Sequence, residues 1–578
     1  FGSSSNSSPA PHSRQLPPRC RPVSLSASQP VTMTIATPTS APTKTTSTKG
    51  PNEKLTASLR ESTPSLMRHA NLTLSKASRG KKLLVFTMGT RGDIQPFAAL
   101  CSGLQAAGFV IRILTNVNHV PFFEDFGLQA VGVNVDAEKW IKEDPTMLKM
   151  MAEGSMLGFA GQLAEMHKRS FPDVFEAELR ETMDFGPDAI ISSGMEGTQT
   201  QAIGASLQIP VIQAHLQVVI RSAQDPSYLE EPVWLPGFVH NLAARLICYL
   251  WLKGEQDGKH PVMIKMLPEC EQDLPKNIEQ QILNFEHPIE PHICGVSPLL
   301  VPERADWPYN PGFTGFWVVP QEEQERRMAA GSKYWGGGAN EELRAFLAAG
   351  PEPAYIGWGS MLSVSQEHMA SLAVRSFKQA GLRGIVLGGW AELTEDMLKG
   401  QPDSEELLQY AKEYVLFVRS APHEWLFPQC CAIVHHGGAG TTAASLRSGR
   451  PVIVTPCGFD QFRNARMVEQ SGAGLGLPRL YAVKADVLGA ALKKVTTSEA
   501  IKSRAETLGK QLRQEDGVGT AIKSLDRFFA EEHTTGIWKA RNAKKKAEFR
   551  ARASPGCFKK IGLLHAYFCG GKSAKPLF

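Results

Sequence analysis

The residues best equipped to do chemistry cluster at 433–462, "IVHHGGAGTTAASLRSGRPVIVTPCGFDQF". A short apolar run leads into His435-His436-Gly437-Gly438-Ala439-Gly440-Thr441-Thr442. Three glycines let the backbone come close to a ligand. A helix starting here would turn unpaired N–H groups and the positive end of its dipole toward an anion such as a diphosphate. Thr441 and Thr442 can add hydroxyl donors, and His436 a ring N–H. No GxxxxGK[ST] occurs, so this cradle would work without the lysine of a P-loop. Glycine-rich strand-to-helix turns also arise for packing alone, but the paired histidines with GGAGTT favour a binding site. A second charged loop, "TRGDIQP" at 90–96, follows another apolar run and carries Arg91 and Asp93.

The elements that would hold these loops are legible. "KKLLVFTMG" at 81–89 has the continuous apolar character of a buried parallel strand. "FAALCSGLQAAG" repeats apolar residues at helical spacing up to a Gly108 stop, and "FVIRILT" at 109–115 is the next strand. A second βαβ unit spans 188–215. After a Pro-rich passage at 287–320 the alternation resumes, with strands within 353–360, 382–389, 414–420, 431–438 and 451–456. This pattern predicts an α/β chain with two doubly wound, Rossmann-like domains. The expected layout is a leader at 1–80, a first domain at 81–300, a connector at 301–345, a second domain at 346–530 and a basic tail at 531–578. Ligands of such sheets bind at the carboxyl ends of the strands, so a cleft between the domains is the expected site.

Composition narrows the class. The chain has 578 residues, 42% of them hydrophobic, with a formal charge of +5. That charge is unevenly spread. Residues 1–82 carry 12 Lys and Arg against 2 acids, and residues 536–578 carry 11 against 1. The body between them holds 39 against 54, which excludes a nucleic-acid-binding core. The Ser-, Thr- and Pro-rich leader reads as disordered and resembles an organelle transit peptide. Ten scattered cysteines without a CxxC pair fit reduced thiols, hence an intracellular protein, cytoplasmic or peripherally membrane-associated. Met and Leu at helical spacing in 147–166 are expected to form core or a domain-packing face rather than a ligand wall. The apolar stretch 238–252 is too short to span a bilayer and is expected to pack in the core, with a membrane surface as the alternative. The "KKK" at 544–546 could meet an anionic membrane or belong to an unstructured tail.

Five segments together resemble the sterol 3-β-glucosyltransferase group of GT-B glycosyltransferases, with a family 28 type N-terminal domain. They are "IVHHGGAGTTAASLRSGRPVIVTPCGFDQF" (433–462), "GTRGDIQPFAAL" (89–100), "PHICGVSPLLVPERADWPYNPGFTGFW" (291–317), "PAYIGWGSM" (353–361) and "APHEWLFPQCCAIVHHGGAGTT" (421–442). The resemblance covers 81–530. It implies transfer of a hexose, glucose by expectation, from a UDP-sugar to the hydroxyl of a sterol or related lipid, with inversion. Other acceptors (polyketide, glycolipid, cell-wall lipid precursor) and a silent nucleotide-sugar-binding protein are the alternatives.

The resemblance also implies residue roles. Gly359, Ser420, Ala421, Pro422 and His423 would flank the uridine. Ser360, His436, Gly438, Gly440, Thr441 and Thr442 would hold the diphosphate. Asp460 and Gln461 would bond the sugar hydroxyls, a capped turn being the bland alternative. Asp93 would be the catalytic base, although an aspartate before a helix is also a common cap. Pro96 suits the first helical position, which would make Gln95 the cap and leave Asp93 free. Arg91 could pair with Asp93 or meet phosphate. Ser420 replaces the stacking Trp of plant secondary-metabolite relatives, and "CGFDQFRNARMVE" departs from the sterol group's usual aromatic-rich segment, so acceptor and sugar preference are less defined than reaction class. No Asp-x-Asp occurs, and no metal or other cofactor is expected.

Overall fold

The structure is a computed structural model that describes residues 67–225, 234–286, 288–336 and 340–552. The apolar runs form two six-stranded, wholly parallel sheets. The first contains β1 (Lys82–Phe86), β2 (Val110–Asn116), β3 (Ala130–Asn134), β4 (Ala189–Ser193), β5 (Val211–His215) and β6 (Ile293–Cys294), in the order β3-β2-β1-β4-β5-β6. The second contains β7 (Ala354–Gly357), β8 (Gly384–Leu387), β9 (Val415–Val418), β10 (Ala432–His435), β11 (Val452–Val454) and β12 (Gly474–Gly476), in the order β12-β11-β10-β7-β8-β9. Each sheet is a doubly wound Rossmann-type sheet whose order reverses between its first and fourth strands. Covering helices bury both faces, so β4, β7, β8, β10 and β11 are buried along their whole length.

The topology fixes where ligands can bind. In the first lobe the reversal lies between β1 and β4, where Leu83 pairs with Ala189. In the second it lies between β7 and β10, where His435 stands opposite Gly357. The loops leaving β1, β7 and β10 carry Asp93, Gly359–Ser360 and the His436–Thr442 cradle. All three issue from the carboxyl ends of strands at a reversal point, which is where open α/β sheets bind ligands.

The chain ends tie the lobes together. The helix Gly517–Arg527 leaves the second lobe and packs on the helix Arg91–Ala107 of the first; a Cβ on Gly103 would lie 2.3 Å from Val518 Cγ1. Residues 67–80, expected within a disordered leader, are ordered against this crossing. His69 Nε2 lies 3.0 Å from Asp516 Oδ1, and Ser75 Oγ donates to Asp526 Oδ1 at 2.7 Å. The basic tail is likewise structured as far as Arg552. Its helix Ile537–Ala551 buries Trp538 and Phe549, and Trp538 Nε1 donates to Glu290 Oε1 at 2.9 Å. Lys546 pairs with Asp273 at 3.4 Å, so not all of the "KKK" run is turned to solvent. Residues 1–66 and 553–578, with the proposed targeting leader and the last basic residues, lie outside the described residues.

Two further expectations meet the packing. The methionine-rich segment does act as a domain-packing face: Met147 and Met151 cluster with Met361, Leu362 and Trp390 of the second lobe. The stretch 238–252 does not pack in the core. It forms most of the helix Gly237–Gly258, of which only His240, Leu252 and Glu255 are buried. Periodicity reveals an apolar face, but not whether another element covers it.

Candidate active site

The cradle is built from β10 outward. Gly437 turns the chain with φ +96, and Gly438 caps the helix Ala439–Ser448. Its first intrahelical bond runs from Thr442 N to Gly438 O (2.9 Å), so the N–H groups of residues 439–441 are the unpaired donors of the first turn. His435 is a structural brace. Its Nδ1 accepts from Gly437 N (2.9 Å), which leaves the Nε2 proton for Ser445 Oγ at 3.1 Å. Burial and the neighbouring His436 hold His435 neutral. Asn464 Nδ2 donates to Gly437 O (2.7 Å) and clamps the turn from outside.

His436 is different. It is 8% exposed, and its Nδ1 is buried without a hydrogen-bond partner among the described residues. Burial lowers its pKa to about 4, so the ring is neutral. Glycines give it room: a Cβ on Gly359 would stand 2.8 Å from His436 Cε1, and one on Gly438 2.5 Å from Nε2. Thr442 is buried, and its hydroxyl donates back to Gly438 O at 2.9 Å, while Thr441 stays partly exposed. Ser360 sits between Gly359, whose carbonyl accepts from Trp390 N (3.0 Å), and the methionine cluster.

The first lobe's side of the site is set by the first turn of Arg91–Ala107. The helix begins at Arg91, five residues ahead of Pro96, so Gln95 is not its cap. Thr90 is the cap and Asp93 the reciprocal member of a capping box. Thr90 N and Oγ1 both donate to Asp93 Oδ2, at 2.7 and 3.0 Å. Both bonds fall on one oxygen and leave Oδ1 outside the cap. Gly89 is required here: φ is +124, and a Cβ would lie 2.5 Å from Asp93 Oδ2. Gly89 is held in turn by Asn116 Oδ1 (3.0 Å from its N) and His119 Nε2 (2.9 Å from its O). Burial raises the Asp93 pKa above the usual aspartate value, against the pull of its Thr90 bonds.

Pro96 has no N–H for the Gly92 carbonyl. That carbonyl lies 3.1 Å from where a Cβ on Gly440 would stand. The first turns of Arg91–Ala107 and of Ala439–Ser448 therefore meet across the two lobes. The dipole end of the first is already met by the Asp93 carboxylate of its capping box, whereas the N–H groups of residues 439–441 are left for an anion. Arg91 does not pair with Asp93. Its guanidinium packs over Phe122, Trp335 and Tyr334 at 4.6, 4.7 and 5.6 Å, and Nε donates to Gln95 Oε1.

Asp460 closes the site from the second lobe. Phe459, in a left-handed conformation (φ 55), turns the chain so that Asp460 caps the helix Gln461–Ser471. Burial first, then the charge of Asp93, raise its pKa to about 7, which marks the two carboxylates as neighbours across the lobes. Gln461 is committed to its own loop: Oε1 accepts from Cys457 N (2.8 Å) and Gly458 N (3.2 Å). Residues 420–423 follow β9. Pro422 caps the short helix His423–Leu426, and the His423 ring stacks on Phe427 at 4.5 Å. Burial, with Arg91 and His436 nearby, lowers its pKa to about 3. Thr90, Asn116, His119 and Asn464 shape the site without having been singled out from sequence. Only Thr90, three residues ahead of an acid at a helix start, offered a signal. Among the described residues no group of three or more His, Cys, Asp or Glu could hold a metal ion.

Residues 392–516 match the family model "Erythromycin biosynthesis protein CIII-like, C-terminal domain". The sterol 3-beta-glucosyltransferase of Komagataella phaffii is 28% identical over 456 residues, covering 78% of this chain and 35% of that protein. The enzyme of the same name from Kluyveromyces lactis is 29% identical over 462 residues, with 78% and 35% covered. The chain thus spans about a third of the length of these curated relatives. Among solved structures, the glycotransferase of kitacinnamycin superposes with a TM-score of 0.52 at 17% identity, covering 78% of this chain and 99% of that one. The calicheamicin glycosyltransferase gives 0.51 at 13%, with 78% and 99% covered. The fold is therefore the two-domain GT-B fold of glycosyltransferases.

Proposed function

We propose that this sterol 3-beta-glucosyltransferase-like chain is an inverting UDP-glycosyltransferase that moves a hexose, glucose, to the hydroxyl of a sterol or related lipid alcohol. One observation carries the reading. The unpaired N–H groups of residues 439–441 and the neutral ring of His436 stand at the carboxyl end of β10, with the first turn that carries Asp93 packed against them from the other lobe.

The chemistry follows from that geometry. A nucleoside diphosphate at the start of Ala439–Ser448 gains the free N–H groups of residues 439–441 and the positive end of that helix dipole. The neutral ring of His436 contributes one further hydrogen bond. Asp93 uses Oδ2 to cap its helix and Oδ1 to accept the acceptor's hydroxyl proton. Its raised pKa makes it a stronger base than a solvated aspartate. The acceptor oxygen then attacks the anomeric carbon from the face opposite the diphosphate, the glycosidic bond to UDP breaks, and the proton stays on Asp93. The charge developing on the leaving diphosphate falls on fixed donors, which need little reorganisation as the bond breaks. Asp460 accepts a sugar hydroxyl. Gln461 can offer only its Nε2, because its oxygen braces the 457–458 backbone. A lipid acceptor places the enzyme at an intracellular membrane surface.

An acceptor screen tests this, with UDP-glucose and UDP-galactose side by side against a sterol, a polyketide and a glycolipid. Transfer to the sterol from UDP-glucose is expected. Asp93→Asn should keep UDP binding and lose turnover by orders of magnitude. UDP binding without transfer to any acceptor would mark a silent binding protein instead.

A further inference from the structure

The helix Gly237–Gly258 presents an apolar face to solvent. Phe238, Leu242, Leu246, Tyr249 and Leu250 are 59, 56, 47, 45 and 54% exposed, and Trp234, just ahead of the helix, is 79% exposed. The spacing of four, four and three to four residues puts them in one stripe. A stripe this long on a soluble surface costs free energy unless something covers it. From Trp234 to Leu252 the sequence has one charged residue, Arg245. Its guanidinium turns away to Glu279 Oε1 at 2.5 Å, with the side chain only 18% exposed.

We infer that this face is a bilayer-docking surface, on which the helix lies flat in the headgroup boundary of a lipid membrane. The identity of the occupant rests on the lipid acceptor proposed above; the exposure of the face does not. Three observations select a bilayer over a protein partner. Aromatic residues at the start of the stripe and toward its end (Trp234, Phe238, Tyr249) are of the kinds that prefer the membrane–water boundary, and leucines fill the centre. Between Trp234 and Leu252 the stripe carries no exposed charge, which suits a hydrocarbon boundary, and the exposed Lys253 and Asp257 mark its end on the same helix. The helix is also joined to the active site. Arg463, on the helix begun by Asp460, donates to the Val218 carbonyl. Val218, Val219 and Ile220 continue to Arg221, whose Nη1 donates to Asn241 Oδ1 on the exposed helix at 3.1 Å. Gly237 packs so tightly on this loop that a Cβ would lie 2.6 Å from Ala223 O. A chain of contacts therefore links the helix begun by Asp460 to the exposed helix. No helix among the described residues is long and apolar enough to cross a membrane, so the contact lies along the surface.

The test uses the purified full chain and neutral phosphatidylcholine vesicles, with and without a sterol. Neutral lipid keeps the basic ends from dominating the binding. The wild-type chain should co-sediment with both kinds of vesicle. The variant Leu242→Glu/Leu246→Glu/Leu250→Glu should lose about tenfold or more of its partitioning, with an unchanged melting temperature. If that variant fails to fold, Trp234→Ala/Phe238→Ala, changed at the rim of the stripe, decides the question. Equal partitioning of folded variant and wild type would overturn the inference, as would a wild-type chain that ignores vesicles. A wild-type dimer that ignores vesicles and is split by the leucine changes would show that a second copy covers the face. Vesicle binding with no transfer to sterol would leave the docking surface standing and defeat the proposed acceptor.

Discussion

Replacing Gly359 by alanine isolates the role of His436. Gly359 has φ +60, where an alanine costs about 1–2 kcal/mol because its Cβ crowds the following carbonyl. It also has a neighbour: the new Cβ would stand 2.8 Å from His436 Cε1. Ordinary contact begins at 3.4 Å, so the ring must retreat by about 0.6 Å. Gly400 is the matched control, with φ +76 and nothing within 4 Å of its Cβ position. Both alanine variants should lose about 1–2 kcal/mol in urea unfolding. Only Gly359→Ala should also lose affinity for UDP. Weakening one hydrogen bond from His436 to the charged diphosphate costs about 1.5 kcal/mol, or about tenfold in Kd by calorimetric titration. If Gly359→Ala binds UDP as tightly as Gly400→Ala, His436 does not touch the donor and the cradle is misassigned.

Other consequences can be checked with the same protein. Glu323 and Arg327 are fully buried in the connector, paired at 2.5 Å, with Arg327 also donating to Asp125 O; Glu323→Ala strands a buried cation and should cost about 3–5 kcal/mol in urea unfolding. The Asp460 pKa rises from 3.8 to about 7 on folding, through burial and then Asp93, so the folded state binds the proton more tightly and stability falls as pH rises across that window. Asp460→Asn should therefore match the wild type in stability near pH 4 and exceed it above about pH 7, as denaturation at the two pH values will show. The acid limb of the transfer rate should lie above the ordinary aspartate range, because protonated Asp93 cannot act as a base. A chelator should leave transfer unchanged if, as proposed, a helix N-terminus rather than a cation takes the leaving charge; loss restored by manganese would contradict this.

The sequence made the sheets legible because fully buried parallel strands write themselves as unbroken apolar runs, as at 83–86 and 432–434. The strand, turn and helix at 432–448 were equally legible as elements, since three glycines after such a run mark a turn into a helix. The start of the Arg91–Ala107 helix was not. Pro96 looks like a first helical residue, but here it sits a turn inside, where its missing N–H spares a carbonyl at the lobe interface. The two offered roles of Asp93, cap and base, were posed as alternatives, yet its two oxygens allow both. Gln461 looked like a sugar ligand because its type fits; that its oxygen is spent on the backbone of residues 457 and 458 depends on a local turn that no spacing rule encodes. The apolar stretch at 238–252 and the basic tail were misjudged for a common reason. Hydropathy and charge describe a segment, whereas burial depends on which distant surface meets it: Trp538 finds Glu290, and the leucine stripe stays exposed among the described residues.

The central claim is a direct displacement in which Asp93 activates the acceptor and UDP departs into the cradle. It is tested most directly by the anomeric configuration of the product formed by the full chain from UDP-α-glucose and a sterol, read by proton NMR. The account predicts a sterol β-glucoside released with one UDP per transfer. An α-glucoside, or free glucose as the only product, would contradict it.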